Sequence, residues 1–163
     1  MSLNTTGGTG FYIGTTAAAA NLTAFKADTY VEVKEIEDVG EFGDDASAAE
    51  FTSLKGTQGN PRTVRIKGAQ DAGILTLTCG RDPLDAGQRA MIEAQKSGWE
   101  EEDEFNFKVV ASDAPAGGTP STFFFRGQVM SAKVNFSGAD DVTRITFQIA
   151  INSEILEEVA EAA

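Results

Sequence analysis

Few residues here are able to do chemistry. The chain has no histidine, and its one cysteine is Cys79. Without an imidazole there is no Ser-His-Asp or Cys-His relay, no histidine base and no histidine metal ligand. Cys79 stands at an inward position of an alternating segment with Arg81 two residues on. A thiolate beside a guanidinium is one reading; a small buried hydrophobe is the one its position favours. Residues 8–14, Gly-Thr-Gly-Phe-Tyr-Ile-Gly, have the wrong glycine spacing for a dinucleotide loop and no strand ahead of them. Carboxylates pair at Asp44-Asp45 and Asp140-Asp141 and run unbroken from 100 to 104. None of these has the alternating spacing of a loop that wraps a hard cation, and Asp140-Asp141 suits a turn. Glycosidase-type acid and base work needs two carboxylates fixed across a cleft, which solvated acids do not specify. An enzyme is the weakest class, and no cofactor or metal is expected.

The elements that would position any site are mostly strands. In residues 142–153, Ile145, Phe147, Ile149 and Ile151 alternate with Arg144, Thr146, Gln148 and Ala150, the period of a sheet with one dry face. Together with residues 122–136 and the turn at 137–141 this predicts a long β-hairpin, whose edges need partners. A strand is expected over 30–37, with Val31 and Val33 on one face and Glu32 and Lys34 on the other. Residues 63–68 and 73–79 read as a second hairpin, Val64 and Ile66 facing in on one strand and Leu75, Leu77 and Cys79 on the other. Asp82 as N-cap, Pro83 in the first turn and Gly98 as the stop predict one helix over 83–97, with Leu84, Met91 and Ile92 or Gln95 along one side. Phe105, Phe107, Val109 and Ala111 give another strand, and residues 112–121 a Pro- and Gly-rich loop.

Two segments read as irregular. The first 28 residues, rich in Gly, Thr and Ala, have little to bury beyond Phe11, Tyr12 and Ile13 and read as an arm. Residues 38–61 form an acidic loop longer than a compact domain usually carries, with Phe42, Phe51 and Leu54 as anchors. The tail, 154–163, places Leu156, Val159, Ala160 and Ala163 at helical spacing but is too short to hold a helix alone. The expected organisation is therefore an arm (1–28), one β domain (29–153) and a tail (154–163). The fold expected is mainly β, a sandwich or barrel of seven to eight antiparallel strands flanked by one helix.

At 163 residues the chain suits one domain with a proper core. Its 25 acids against 13 bases give a net charge of −12, which argues against tight nucleic-acid binding. A lone cysteine excludes an internal disulfide, and Met1-Ser2-Leu3-Asn4 lacks the basic and apolar regions of a signal peptide, so synthesis in a reducing cytoplasm is expected. No apolar run approaches the ~20 residues of a membrane span.

The order Phe125-Arg126-Gly127-Gln128-Val129, then Val134-Asn135-Phe136-Ser137-Gly138-Ala139-Asp140-Asp141-Val142, then Ile145-Thr146-Phe147-Gln148-Ile149 resembles the C-terminal hairpin of tail tube proteins of long-tailed, lambda-type bacteriophages. Upstream, Asp82-Pro83-Leu84-Asp85, Gly98 and Phe105-Asn106-Phe107-Lys108-Val109 resemble the same family, so the likeness spans roughly residues 30–151. At its end Asn152-Ser153-Glu154 stands where a glycine is expected.

That resemblance implies hexameric rings whose strands join into a barrel around a lumen, stacked into a tube that conducts DNA from the capsid. The implied partners are the chain itself, a tape-measure protein, and tail-tip and tail-terminator proteins, with DNA passing through without tight binding; the implied location is the virion tail. A ring of six at −12 each would carry −72, and repulsion would keep DNA off the wall. Inter-ring contacts are expected from the arm and the long loop: Phe11, Tyr12, Glu41, Phe42, Asp44, Asp45, Phe51 and Leu54. Lumen-facing candidates are Glu32, Lys34, Arg144, Thr146 and Gln148. Two other readings share the pattern: a tube protein of a contractile tail or secretion apparatus, and a stand-alone β-sandwich that decorates or completes a capsid.

Overall fold

The computed structural model describes residues 3–55, 59–100 and 103–163. Ten strands and two helices follow in the order β1 (Gly10–Ile13), α1 (Leu22–Ala27), β2 (Val31–Val33), β3 (Ile36–Asp38), β4 (Asp45–Ser53), β5 (Arg62–Asp71), β6 (Ile74–Gly80), α2 (Ala86–Lys96), β7 (Phe105–Val110), β8 (Thr122–Asn135), β9 (Arg144–Ile151) and β10 (Leu156–Glu158). Eight strands make one antiparallel sheet in the order β2-β1-β7-β8-β9-β6-β3, with β10 added to β8. β4 and β5 pair only with each other.

The alternation in β9 fixes which face is dry. Ile145, Phe147 and Ile149 are at most 1% exposed, and across the ladder they meet Cys79, Leu77 and Leu75 of β6. On the other half of the sheet Phe107 of β7 stands opposite Phe125 of β8 with ring centroids 5.4 Å apart, and Phe11 of β1, opposite Val109, meets Phe107 diagonally at 5.8 Å. Ile36 at one end of the strand order packs against the cluster that holds Phe11 near the other, so the sheet curls around its main core, while Ala19, Phe25 and Phe124 form a smaller second cluster.

α2 closes that core with Met91 and Ala94. Its N-cap is Asp85, not Asp82: the Asp85 carboxylate accepts from the Gln88 and Lys34 backbone N–H groups, both at 3.0 Å. Asp82 instead caps the turn before the helix by accepting from Leu84 N–H, which leaves Leu84 80% exposed. The Gln88 amide donates to the carbonyls of Lys34 and Gly80, tying the helix to the ends of β2 and β6.

Several expectations are corrected. The first 28 residues are not a free arm: β1 lies inside the sheet between β2 and β7, and α1 packs Phe25 on Phe124 with centroids 5.7 Å apart. The strand over 30–37 breaks in two because Glu35 adopts φ 58° between β2 and β3. β5 and β6 do not form a hairpin, since both edges of β6 are taken by β9 and β3. β5 pairs instead with β4, inside what reads as loop; of the region 38–61, residues 56–58 lie outside the described residues. The tail is not helical but adds β10 to the otherwise open edge of β8, Leu156 opposite Phe124.

Candidate assembly interface

The β4–β5 hairpin stands apart from the rest of the fold. Apart from isolated touches the two strands pack on no other element, and every residue of β5 is exposed. Register shows why this matters. Ala49 lies opposite Ile66 and Phe51 opposite Val64, while Glu50 faces Arg65 and Thr52 faces Thr63 on the reverse side. The second set is satisfied: the Thr hydroxyls bond at 2.8 Å, and Arg65 Nε meets Glu50 at 2.8 Å. The first set is an apolar strip that nothing among the described residues covers, with Phe51 65%, Val64 53% and Ile66 61% exposed. A lone two-stranded hairpin is marginal in water, and an uncovered apolar strip marks a contact surface.

β8 offers a second open feature. β7 pairs with its first half, Thr122 to Gly127, and β9 with its second half on the opposite edge. Beyond Gly127 the β7-side edge has no strand partner among the described residues, and exposed Met130, Val134 and Phe136 lie along this stretch. An open edge of this kind invites a strand from another chain.

The wet face of the sheet's second half is polar. Arg144, Thr146 and Gln148 of β9 stand opposite Gly80, Thr78 and Thr76 of β6 on one side, and Asn135, Lys133 and Ser131 of β8 on the other. The Arg144 guanidinium pairs with Glu37 of β3. Hydroxyl and amide groups dominate this face, with Lys133 as its unpaired cation among the described residues. The sequence reading found the β9 half of the surface; the threonines of β6, alternating with Leu75, Leu77 and Cys79, carried the signal for the rest.

The candidate residues therefore separate. Phe11 is fully buried in the core and cannot be an inter-ring contact. Tyr12, on the opposite face of β1, lies under the Lys108 ammonium at 4.4 Å, which also sits 4.7 Å from the Tyr30 ring; burial pulls the Lys108 pKa down. Phe42 folds back onto Phe123, edge to face at 5.2 Å, and so anchors the start of the region within its own subunit. Glu41, Asp44 and Asp45 are exposed before and at the hairpin base, and Phe51 and Leu54 are exposed along it. Among the lumen candidates, Arg144, Thr146 and Gln148 share the polar face. Glu32 and Lys34 do not: Glu32 lies on β2 and Lys34 just beyond its end, four strands from β9, where Gly87 of α2 approaches the Glu32 carbonyl. Those two are removed from the set.

Cys79 has no reactive setting. Burial, and then the charge of Asp85, push its thiol up to about 12. Among the described residues no group of three metal-binding side chains converges; of the acidic run at 100–104, residues 101 and 102 lie outside them.

No protein-family model matches the sequence, and no curated protein matches it. Solved structures do match. A chain of the PVC extracellular contractile injection system, from its sheath/tube terminator in the extended state, aligns over 98% of this chain and 99% of its own at 12% identity, with a TM-score of 0.67. The SPP1 tail tube aligns over 93% and 77% at 15% identity (TM-score 0.57), and the tail of a GTA particle over 91% and 96% at 13% (TM-score 0.58). The chain has the tail-tube fold. The likeness extends over 91–98% of the chain.

Proposed function

We propose that the chain is a tail tube subunit: it assembles into hexameric rings that stack into a conduit for DNA. The observation that carries this is a tail-tube fold with an amphipathic hairpin whose apolar strip nothing in the subunit covers. Within a ring, the open edge of β8 takes a strand of the neighbouring subunit, so that the sheets continue around the bore. The polar face of β6, β9 and distal β8, with Thr76, Thr78, Arg144, Thr146 and Gln148, lines the lumen, where hydroxyl and amide groups give DNA little to adhere to. Between rings, Glu41, Asp44, Asp45, Phe51 and Leu54 supply contacts. Tape-measure, tail-tip and terminator proteins meet the ends of the stack, in a virion tail built from subunits made in the host cytoplasm. No step calls for catalysis.

Electron microscopy of the purified protein at high concentration, with its mass in solution measured alongside, tests the reading. Stacked rings with an open bore are expected. A particle that stays monomeric even with tail-tip partners added would overturn it in favour of a capsid decoration role.

A further inference from the structure

We infer that the distal, cationic end of the β4–β5 hairpin seats in an acid-rimmed cleft at the hairpin base of a second copy of the chain, joining subunits head to tail. This deepens the ring-stacking reading and rests on it. Charge distribution along the hairpin comes first. Residues 51–67 hold four bases, Lys55, Arg62, Arg65 and Lys67, and no acid, a charge of +4. The rest of the chain holds all 25 acids against nine bases, or −16. Arg65 has Glu50; among the described residues Lys55, Arg62 and Lys67 have no acidic partner.

The opposite end of the hairpin is acidic. Asp44, Asp45 and Asp71 sit at its base, where Asp44, Asp71 and Glu154 border a cleft of about 490 Å³. A larger cleft of about 690 Å³ adjoins it through Asn152 and Ser153, floored by Ala18, Ala19 and Ala20, with exposed Glu100 at its rim and Glu104, 14% exposed, held by Arg126 and Asn152. The cation in this surface, Arg126, is 7% exposed and already committed to Glu104 and the Ala17 carbonyl, so the remaining acids lack compensation. Exposed Leu54, flanked by Lys55, is matched to an alanine floor with an acidic rim.

Distance makes the contact intermolecular. Nine residues of strand span about 30 Å, whereas a charge in physiological salt is felt over about 8 Å. The distal cations Lys55 and Arg62 therefore cannot neutralise the base of their own hairpin, while those of a second copy can. Each subunit would use its distal end once and its base once. Such a heterologous contact, unlike an isologous one, leaves a free site at each end and so supports open stacking.

The test mixes two populations, one carrying Leu54→Cys and the other Ala20→Cys, assembles them and oxidises them mildly. Both positions are exposed and Cys79 is buried, so the subunit fold is retained and is verified by its melting temperature. A mixed disulfide dimer at least tenfold above either homodimer is expected. Rings that stack without that cross-link would overturn this contact and leave the tube reading intact; wild-type protein that forms neither rings nor tubes would overturn both. As a second measurement, K55E/R62E should abolish stacking, and E100K/E154K in the same chain should restore it. Stacking that survives K55E/R62E, or is not recovered by E100K/E154K, refutes the pairing.

Discussion

Replacing Val64 and Ile66 together by threonine separates assembly from folding. Both side chains are already more than half exposed in the subunit, 53% and 61%. Threonine suits an exposed strand, so the subunit itself should lose no more than about 0.5 kcal/mol. In the proposed ring junction the same side chains would complete their burial. Full burial of a Val or Ile is worth about 1.5–3 kcal/mol, and roughly half of that remains to be gained at each position, about 2 kcal/mol per subunit. Six subunits multiply this to about 12 kcal/mol per ring junction, enough to dissolve a stack that depends on the strip. The V64T/I66T protein should therefore melt within about 2 °C of wild type by circular dichroism, yet sediment as single rings or monomers where wild type forms tubes. Tubes of wild-type length and yield would refute the assignment of this strip to stacking. A melting temperature lowered by 5 °C or more would show instead that the strip packs within the subunit.

Further predictions concern the scaffold. Gly87→Ala places a Cβ 2.0 Å from the Glu32 carbonyl oxygen and 2.6 Å from Val33 Cα, all backbone, so α2 must retreat from β2. Overpacking of about 1–3 kcal/mol, with loosening of the Asp85 and Gln88 bonds to Lys34, outweighs the ~1 kcal/mol gain in helix propensity; a melting temperature equal to or above wild type would contradict this. Cys79, held at about 12 against an ordinary 9.0 by burial and then by Asp85, should react with a thiol reagent at pH 8 about a thousandfold more slowly than an unfolded control, and fast labelling would show the core to be open. Burial raises the Asp28 carboxyl, but hydrogen bonds from Thr15, Asn106 and Thr29 outweigh it and hold its pKa below the ordinary 3.8. A depressed carboxylate stabilises the fold above its unfolded pKa and loses that contribution as pH falls through the folded value. The stability gap between wild type and Asp28→Asn should accordingly be full at pH 7 and shrink below pH 3.8; a gap independent of pH would remove Asp28 from the account.

What the sequence reveals, and what it hides, follows from how far each residue's fate is decided locally. In β9 every second residue is a large hydrophobe, and Ile145, Phe147, Ile149 and Ile151 are all buried as the pattern demands. β1 offers the same alternation in only two residues, Phe11 and Ile13, among glycines, threonines and alanines; only the neighbours it finds in β2 and β7 make it a strand. The tail has helical spacing, yet Leu156 pairs with Phe124 because β8 presents an open ladder there and an isolated ten-residue helix is unstable. Tertiary partners won in both cases.

The hairpin is the most instructive misreading. Val64 and Ile66 alternate with Thr63, Arg65 and Lys67 as clearly as any core strand, so period alone marks them as inward. Periodicity identifies the face of a strand that is to leave water; it does not say whose surface will cover it. In β6 and β9 that cover comes from the subunit's own curled sheet and α2. In β4 and β5 nothing among the described residues supplies it, and the strand keeps its dry-face pattern while standing in solvent. A pattern written for burial and left exposed implies a second chain. The charges sharpen that inference, because the unpaired cations Lys55 and Arg62 lie at the end of the hairpin farthest from the acids at its base. In the proposed contact the strip would supply the adhesion and the charges would fix which end meets which, so that the interface and its polarity would reside in one supersecondary unit.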